Sequence, residues 1–179
     1  TLLGENFPLP SAVLIGSNGV LPPSIITDEV GTVYTNPFDP TGDAIDFYES
    51  LEGMLVEIEN PVAVGGTKYG EIPVVPQGVT YPQVTPRGGL YLSAADPNPG
   101  ILPVDTDAYT LGLDPVPADL GDTFQAPVRG VIGYSYGKFI VLPVEVPEVQ
   151  RNGLAKESST LIKDPDKLSV ASFNIENFP

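Results

Sequence analysis

Two acidic loops hold the side chains best suited to chemistry. "NPFDPTGDAID" (residues 36–46) carries Asp39, Asp43 and Asp46, and "DPNPGILPVDTDAY" (96–109) carries Asp96, Asp105 and Asp107. Carboxylates a few residues apart in a loop can supply hard oxygen ligands, so a structural calcium ion is the candidate occupant of either set. Neither loop has EF-hand spacing, and Asp also favours turns for backbone reasons alone. The chain contains no His and no Cys. A Ser-His-Asp triad, an imidazole base, a thiolate metal site and a disulfide framework are therefore excluded within it.

Tyr134, Tyr136 and Phe139 lie close together in "GYSYGKF" and could form a base-stacking platform. The charge argues against it. With 23 acidic residues against 8 basic ones, the net charge of −15 repels a phosphate backbone. Arg129 and Lys138 are the only cations nearby. These aromatics read better as the packing of a hairpin, and no direct nucleic-acid binding is expected. "VGGTKYG" (64–70) has a lysine and glycines but not phosphate-loop spacing, so it reads as a hairpin loop.

The elements that must carry these residues follow from punctuation and period. The 179 residues include 21 Pro and 19 Gly, yet 41% are hydrophobic, which favours β structure with many turns over long helices. Residues 1–42 read as an extended lead-in, with a short strand near Ala12–Ile15. "GDAIDFYESLEG" (42–53) predicts one short helix, N-capped by Asp43 and stopped by Gly53. "MLVEIEN" (54–60) alternates as a half-buried strand, and "YGEIPVV" (69–75) and "GGLYLS" (88–93) read as further strands. Residues 94–122 read as one acidic loop. "TFQAPVRGVIGYSYGKFIVLPVEV" (123–146) predicts a hairpin turning near Ser135–Gly137. The expected fold is all-β: an OB-like small β-barrel over 43–146 with one short helix. A polar linker (147–166) and a strand-like run, "KLSVASFNI" (167–175), follow. No apolar run is long enough to cross a membrane.

Three stretches together resemble a known arrangement. "SVASFNIENF" (169–178) resembles the first strand of the endonuclease/exonuclease/phosphatase superfamily, the deoxyribonuclease-I-like fold. "YESLEGMLVEIENPVAV" (48–64) and "LGDTFQAPVRGVIGYSYGKFIVLP" (120–143) resemble the OB-type region that precedes this domain in large secreted bacterial nucleases. The resemblance implies that 167–179 opens a truncated nuclease domain and that the chain is a cut piece of an extracellular protein. It also implies that Asn174 belongs to a metal and phosphate site in the intact nuclease, where Mg or Ca would serve. The acidic ligands and catalytic histidines of that family would lie beyond Pro179.

Two functions follow as expectations. The first is a non-catalytic accessory module of a secreted nuclease, partnered by a C-terminal nuclease domain of the same chain. Such a module is itself inactive, needs no cofactor and has no membrane partner. The second is an independent binding or structural barrel, attaching to carbohydrate or a surface.

Overall fold

The computed structural model describes residues 10–28, 36–81, 84–94, 96–107, 112, 114–156, 158, 161–162, 164–168, 170 and 172. Strand β1 spans Val13–Ile15, helix α1 Ala44–Leu51, β2 Leu55–Ile58, β3 Val62–Ala63, β4 Glu71–Val75 and β5 Leu102–Asp105. Strands β6 (Thr123–Phe124), β7 (Val128–Ser135), β8 (Lys138–Pro143) and β9 (Val149–Gln150) complete it. The protein is all-β with one short helix. Its strands hydrogen-bond in the order β1-β2-β7-β8-β5-β4-β3-β6-β9. Among the described residues no pairing joins β1 to β9, so the hydrogen bonds do not show the closure expected of a barrel.

The sheet consists of two halves, β1-β2-β7-β8 and β5-β4-β3-β6-β9, joined where β5 meets β8 in parallel through Val104 and Val141. Both halves feed one core. Ile15, Val56, Ile58 and Ile132 come from the first; Ile72, Val74, Leu102 and Val104 come from the second. Burying each such side chain contributes about 1.5–3 kcal/mol relative to leaving it exposed. Helix α1 closes the cluster with Ala44, Phe47, Tyr48 and Leu51.

The helix forms where the capping signals place it. Asp43 adopts the extended N-cap conformation and its side chain accepts from Asp46 N. Two further orphan amides are met by the lead-in, since Ala44 N and Ile45 N donate to the carbonyls of Ile25 and Ile26. Gly53, at φ +74°, turns the chain out of the helix, and its N–H donates to Ile132 O.

The β7–β8 hairpin turns where expected, although Thr123 and Phe124, read as part of it, form β6 and pair with β3 and β9. Tyr136 and Gly137 hold φ of +47° and +82° between the paired residues Ser135 and Lys138, a two-residue type I′ turn. "KYGE" repeats the device: Tyr69 and Gly70 lie at +55° and +82°, and Lys68 exchanges backbone hydrogen bonds with Glu71. Gly130 lets β7 lie close against β8. A Cβ there would meet Val141 Cγ1 at 2.5 Å and Leu142 O at 2.6 Å.

Four readings need correction. Residues 94–122 are not one loop, because β5 lies inside them between β4 and β8. Its prolines hid it. Pro103 faces Pro73 in the antiparallel β4–β5 ladder, a placement suited to the alternate pairs that exchange no hydrogen bonds. "GGLYLS" is not a strand: only Leu90 bridges, to Val84, and Tyr91 and Leu92 are exposed. A local turn takes up the backbone there, with Gly89 N on Thr85 Oγ1 and Thr85 N on Gly89 O. Strand β2 alternates as read from Val56 on, but at its start Leu55 is buried opposite Val131 while Met54 is exposed. The sheet also runs on through β9, into the segment read as linker. In the terminal run, Leu168 and Val170 are exposed, and Phe173 and Asn174 lie outside the described residues.

The close β7–β8 approach generates a test. Gly130→Ala should destabilise the protein by about 1–3 kcal/mol, because backbone as well as side chain must shift. Gly133→Ala should cost less, its nearest neighbour being the flexible Leu142 Cδ1 at 3.3 Å. Urea midpoints of the two variants check the order.

Candidate functional site

The structure brings Asp39, Asp43 and Asp46 together as a hydrogen-bonded turn and cap. Asp39 Oδ1 accepts from Thr41 N (3.0 Å) and Thr41 Oγ1 (2.7 Å). Asp46 Oδ2 accepts from Asp39 N at 2.6 Å. The buried Asp43 accepts from Asp46 N at 2.8 Å through Oδ1 and from Asp28 N at 3.4 Å through Oδ2. The Thr41 hydroxyl and amide hold the Asp39 carboxyl below its usual range.

The second acidic set divides. Asp105 and Asp107 stay together, Asp107 N donating to Asp105 Oδ1 at 3.1 Å. Burial pushes the Asp105 carboxyl up, and the nearby Asp107 and Glu71 charges add to this while Lys138 opposes it. Glu71 stands directly opposite Asp105 in the β4–β5 ladder, and Lys138 forms an ion pair with Glu71. Like charges opposed across strands repel, so the lysine offsets a local cost. Asp96 sits apart from them in the Ser93–Asn98 turn, its Oδ1 accepting from Asn98 N at 3.0 Å. Among the described residues, no group of three or more His, Cys, Asp or Glu side chains is placed to hold a metal ion. Asn174 falls outside those residues.

The aromatic set converges on a groove of about 520 Å³ between α1, the β7–β8 hairpin and the Pro97–Pro103 segment. Tyr48 stacks on Phe139 with centroids 5.6 Å apart, and Tyr134 meets the same ring edge-on at 5.0 Å. Burial raises the Tyr48 hydroxyl far above its ordinary pKa, and it donates to Pro99 O at 3.3 Å. Phe139 and Tyr48 therefore form the floor and Tyr134 an exposed wall. Glu49 and Glu52 of α1 line the groove, as do Asn98 and Lys138. Tyr136, fully exposed at the hairpin tip, does not line it. Packing of Tyr134 and Phe139 on the hairpin was legible in the sequence. The contribution of Asn98 was not, because only the aspartates of its loop carried a signal.

A third feature had no local signal. Asp122, whose residue is 1% exposed, accepts from Asp119 N (2.7 Å) and Arg151 Nη1 (2.9 Å) through Oδ2, and from Asn152 N (2.7 Å) through Oδ1. It clamps the chain just after β9 to the turn before β6. Burial acts to raise its pKa, but the donors from Asn152, Asp119 and Arg151 together outweigh it and hold the carboxyl below its ordinary value.

Residues 14–151 match the family described as a domain of unknown function, DUF8508. The match spans most of the chain, which belongs to that family. It begins inside β1 and ends at Arg151, the residue that pairs with Asp122. No curated protein and no solved structure matches the chain.

Asp122→Ala should cost about 1–3 kcal/mol, the usual effect of stranding buried hydrogen-bond partners. Its folded pKa lies below 3.8, so its stabilisation is present above that pH and is lost as pH falls through the folded value. Urea unfolding of wild type and variant should therefore differ at pH 7 and converge at strongly acidic pH.

Proposed function

We propose that the chain is a non-catalytic accessory module of a secreted nuclease, supporting a catalytic domain of the deoxyribonuclease-I-like fold that follows it. The observation that carries this reading is how the chain leaves the folded unit. Among the described residues the sheet ends at Gln150, Asp122 fixes the next two residues, and beyond them Leu161, Ile162, Leu168 and Val170 are exposed. Apolar side chains presented in this way suit a neighbour that covers them. The stretch that resembles a nuclease first strand begins at that point. Asn174 would join the metal and phosphate site of the catalytic domain, where Mg or Ca would be held by acidic residues beyond Pro179. The module would act outside the cell and would contribute position rather than chemistry.

A second reading, an independent module that binds carbohydrate or a surface, is favoured by one observation: the open aromatic groove beside α1.

Two measurements test the accessory reading. The 179-residue chain, supplied with Mg or Ca, should leave DNA, RNA and phosphate monoesters intact. The reading frame beyond the Pro179 codon should continue into acidic metal ligands and a catalytic histidine. Metal-dependent cleavage by the chain alone, abolished in Asn174→Ala, would overturn the proposal. So would a frame without those residues.

A further inference from the structure

The geometry points to the groove beside α1 as a binding site for a neutral polysaccharide chain. This rests on the second reading, that of a carbohydrate-binding module, and is independent of the accessory one. Three properties of the groove select the ligand. Its volume, about 520 Å³, lies within the range of about 300–1,000 Å³ usual for small-molecule sites. Its aromatic surface is built and held: Phe139 is fixed between Tyr48 and Tyr134, and Tyr134 keeps more than half of its surface in solvent. Exposed Ile26 and Ile45 extend the apolar rim. A pyranose ring presents a flat face of C–H groups that can lie on such a surface with its hydroxyls directed outward.

The polar lining is the second property. Carboxylate acceptors lead it, beside the Lys138 ammonium and the Tyr134 hydroxyl. Glu49 and Glu52 offer carboxylates. Among the donors, the Tyr48 hydroxyl is engaged with Pro99 O and one Lys138 N–H with Glu71, while the rest of that ammonium and the exposed Tyr134 hydroxyl can meet a ligand's oxygens. A ligand complementary to this lining must bring donors of its own. Sugar hydroxyls do so, whereas a phosphate or sulfate brings only acceptors.

Charge is the third property. Two carboxylates at the groove and a net charge of −15 repel polyanions, which removes nucleic acids and acidic glycans as occupants. A neutral glycan meets no such barrier, and stacking on Tyr134 is insensitive to salt.

Native gel electrophoresis through hydroxyethylcellulose, laminarin or dextran tests the site, followed by calorimetry with the hexasaccharide of whichever glucan retards the chain. Retardation by at least one of them is expected, unchanged by added salt. Tyr134→Ala should weaken it about tenfold, the scale of one lost aromatic contact. Glu49→Gln combined with Glu52→Gln should weaken it as well. Tyr69→Ala, an exposed turn tyrosine outside the groove, should bind as wild type, and circular dichroism of Tyr134→Ala should show the fold intact. The proposal is overturned if none of the three glucans retards the chain, or if Tyr134→Ala binds as tightly as wild type. Stronger binding of single-stranded DNA or heparin than of any glucan overturns it, as does a dimer in solution whose interface covers Tyr134.

Discussion

Val104 and Val141 are fully buried and form the register pair through which two half-sheets become one. The rest of the molecule depends on that contact. It needs β8 to present Val141 inward, and that needs β7 to lie close enough for the hairpin to stay in register. The absent side chain at Gly130 allows the approach, and the Tyr136-Gly137 turn fixes the register from the other end. The strands themselves are short, several having only two residues, so few of the ladder hydrogen bonds would survive alone. Stability comes from the shared core, and the core exists only while the two halves stay joined.

This arrangement also builds the groove. Phe139, two residues before the seam, lies between Tyr48 of the helix and Tyr134 of the opposite strand. The helix is held at both ends: Asp43 and the lead-in carbonyls satisfy its first amides, and Gly53 ties its exit to β7. The far half-sheet has a separate fixture, the buried Asp122, which determines where the chain departs after β9. One end of the fold therefore offers an aromatic surface, and another directs the segment that leaves it.

Legibility in the sequence followed the range of the interactions. The helix was readable because Asp43 and Gly53 act within one or two turns, and the hairpin because Tyr136-Gly137 sits between two apolar runs. Strand β5 was obscured because Pro99 and Pro103 look like loop residues unless the facing strand is known, and Pro73 is thirty residues upstream. The acidic residues were equally opaque. Asp43 could be recognised as a cap, but Asp122 looks like any other loop aspartate until Arg151 and Asn152 arrive from β9. The division of Asp96 from Asp105 and Asp107 likewise depends on β5, which places the latter two at a strand end opposite Glu71. The convergence of Tyr134, Phe139 and Tyr48 required knowing that α1 packs over the hairpin.

Both half-sheets share one core and should therefore open together. Native-state hydrogen exchange, followed amide by amide, tests it most directly. Amides of Ile58 and Ile132 in one half and of Ile72 and Val104 in the other should exchange with the same free energy, equal to that of global unfolding, and should shift together in denaturant. Exchange from β3, β4 and β5 at a distinctly lower free energy than from β2, β7 and β8 would instead show two units that open separately, each without need of the other.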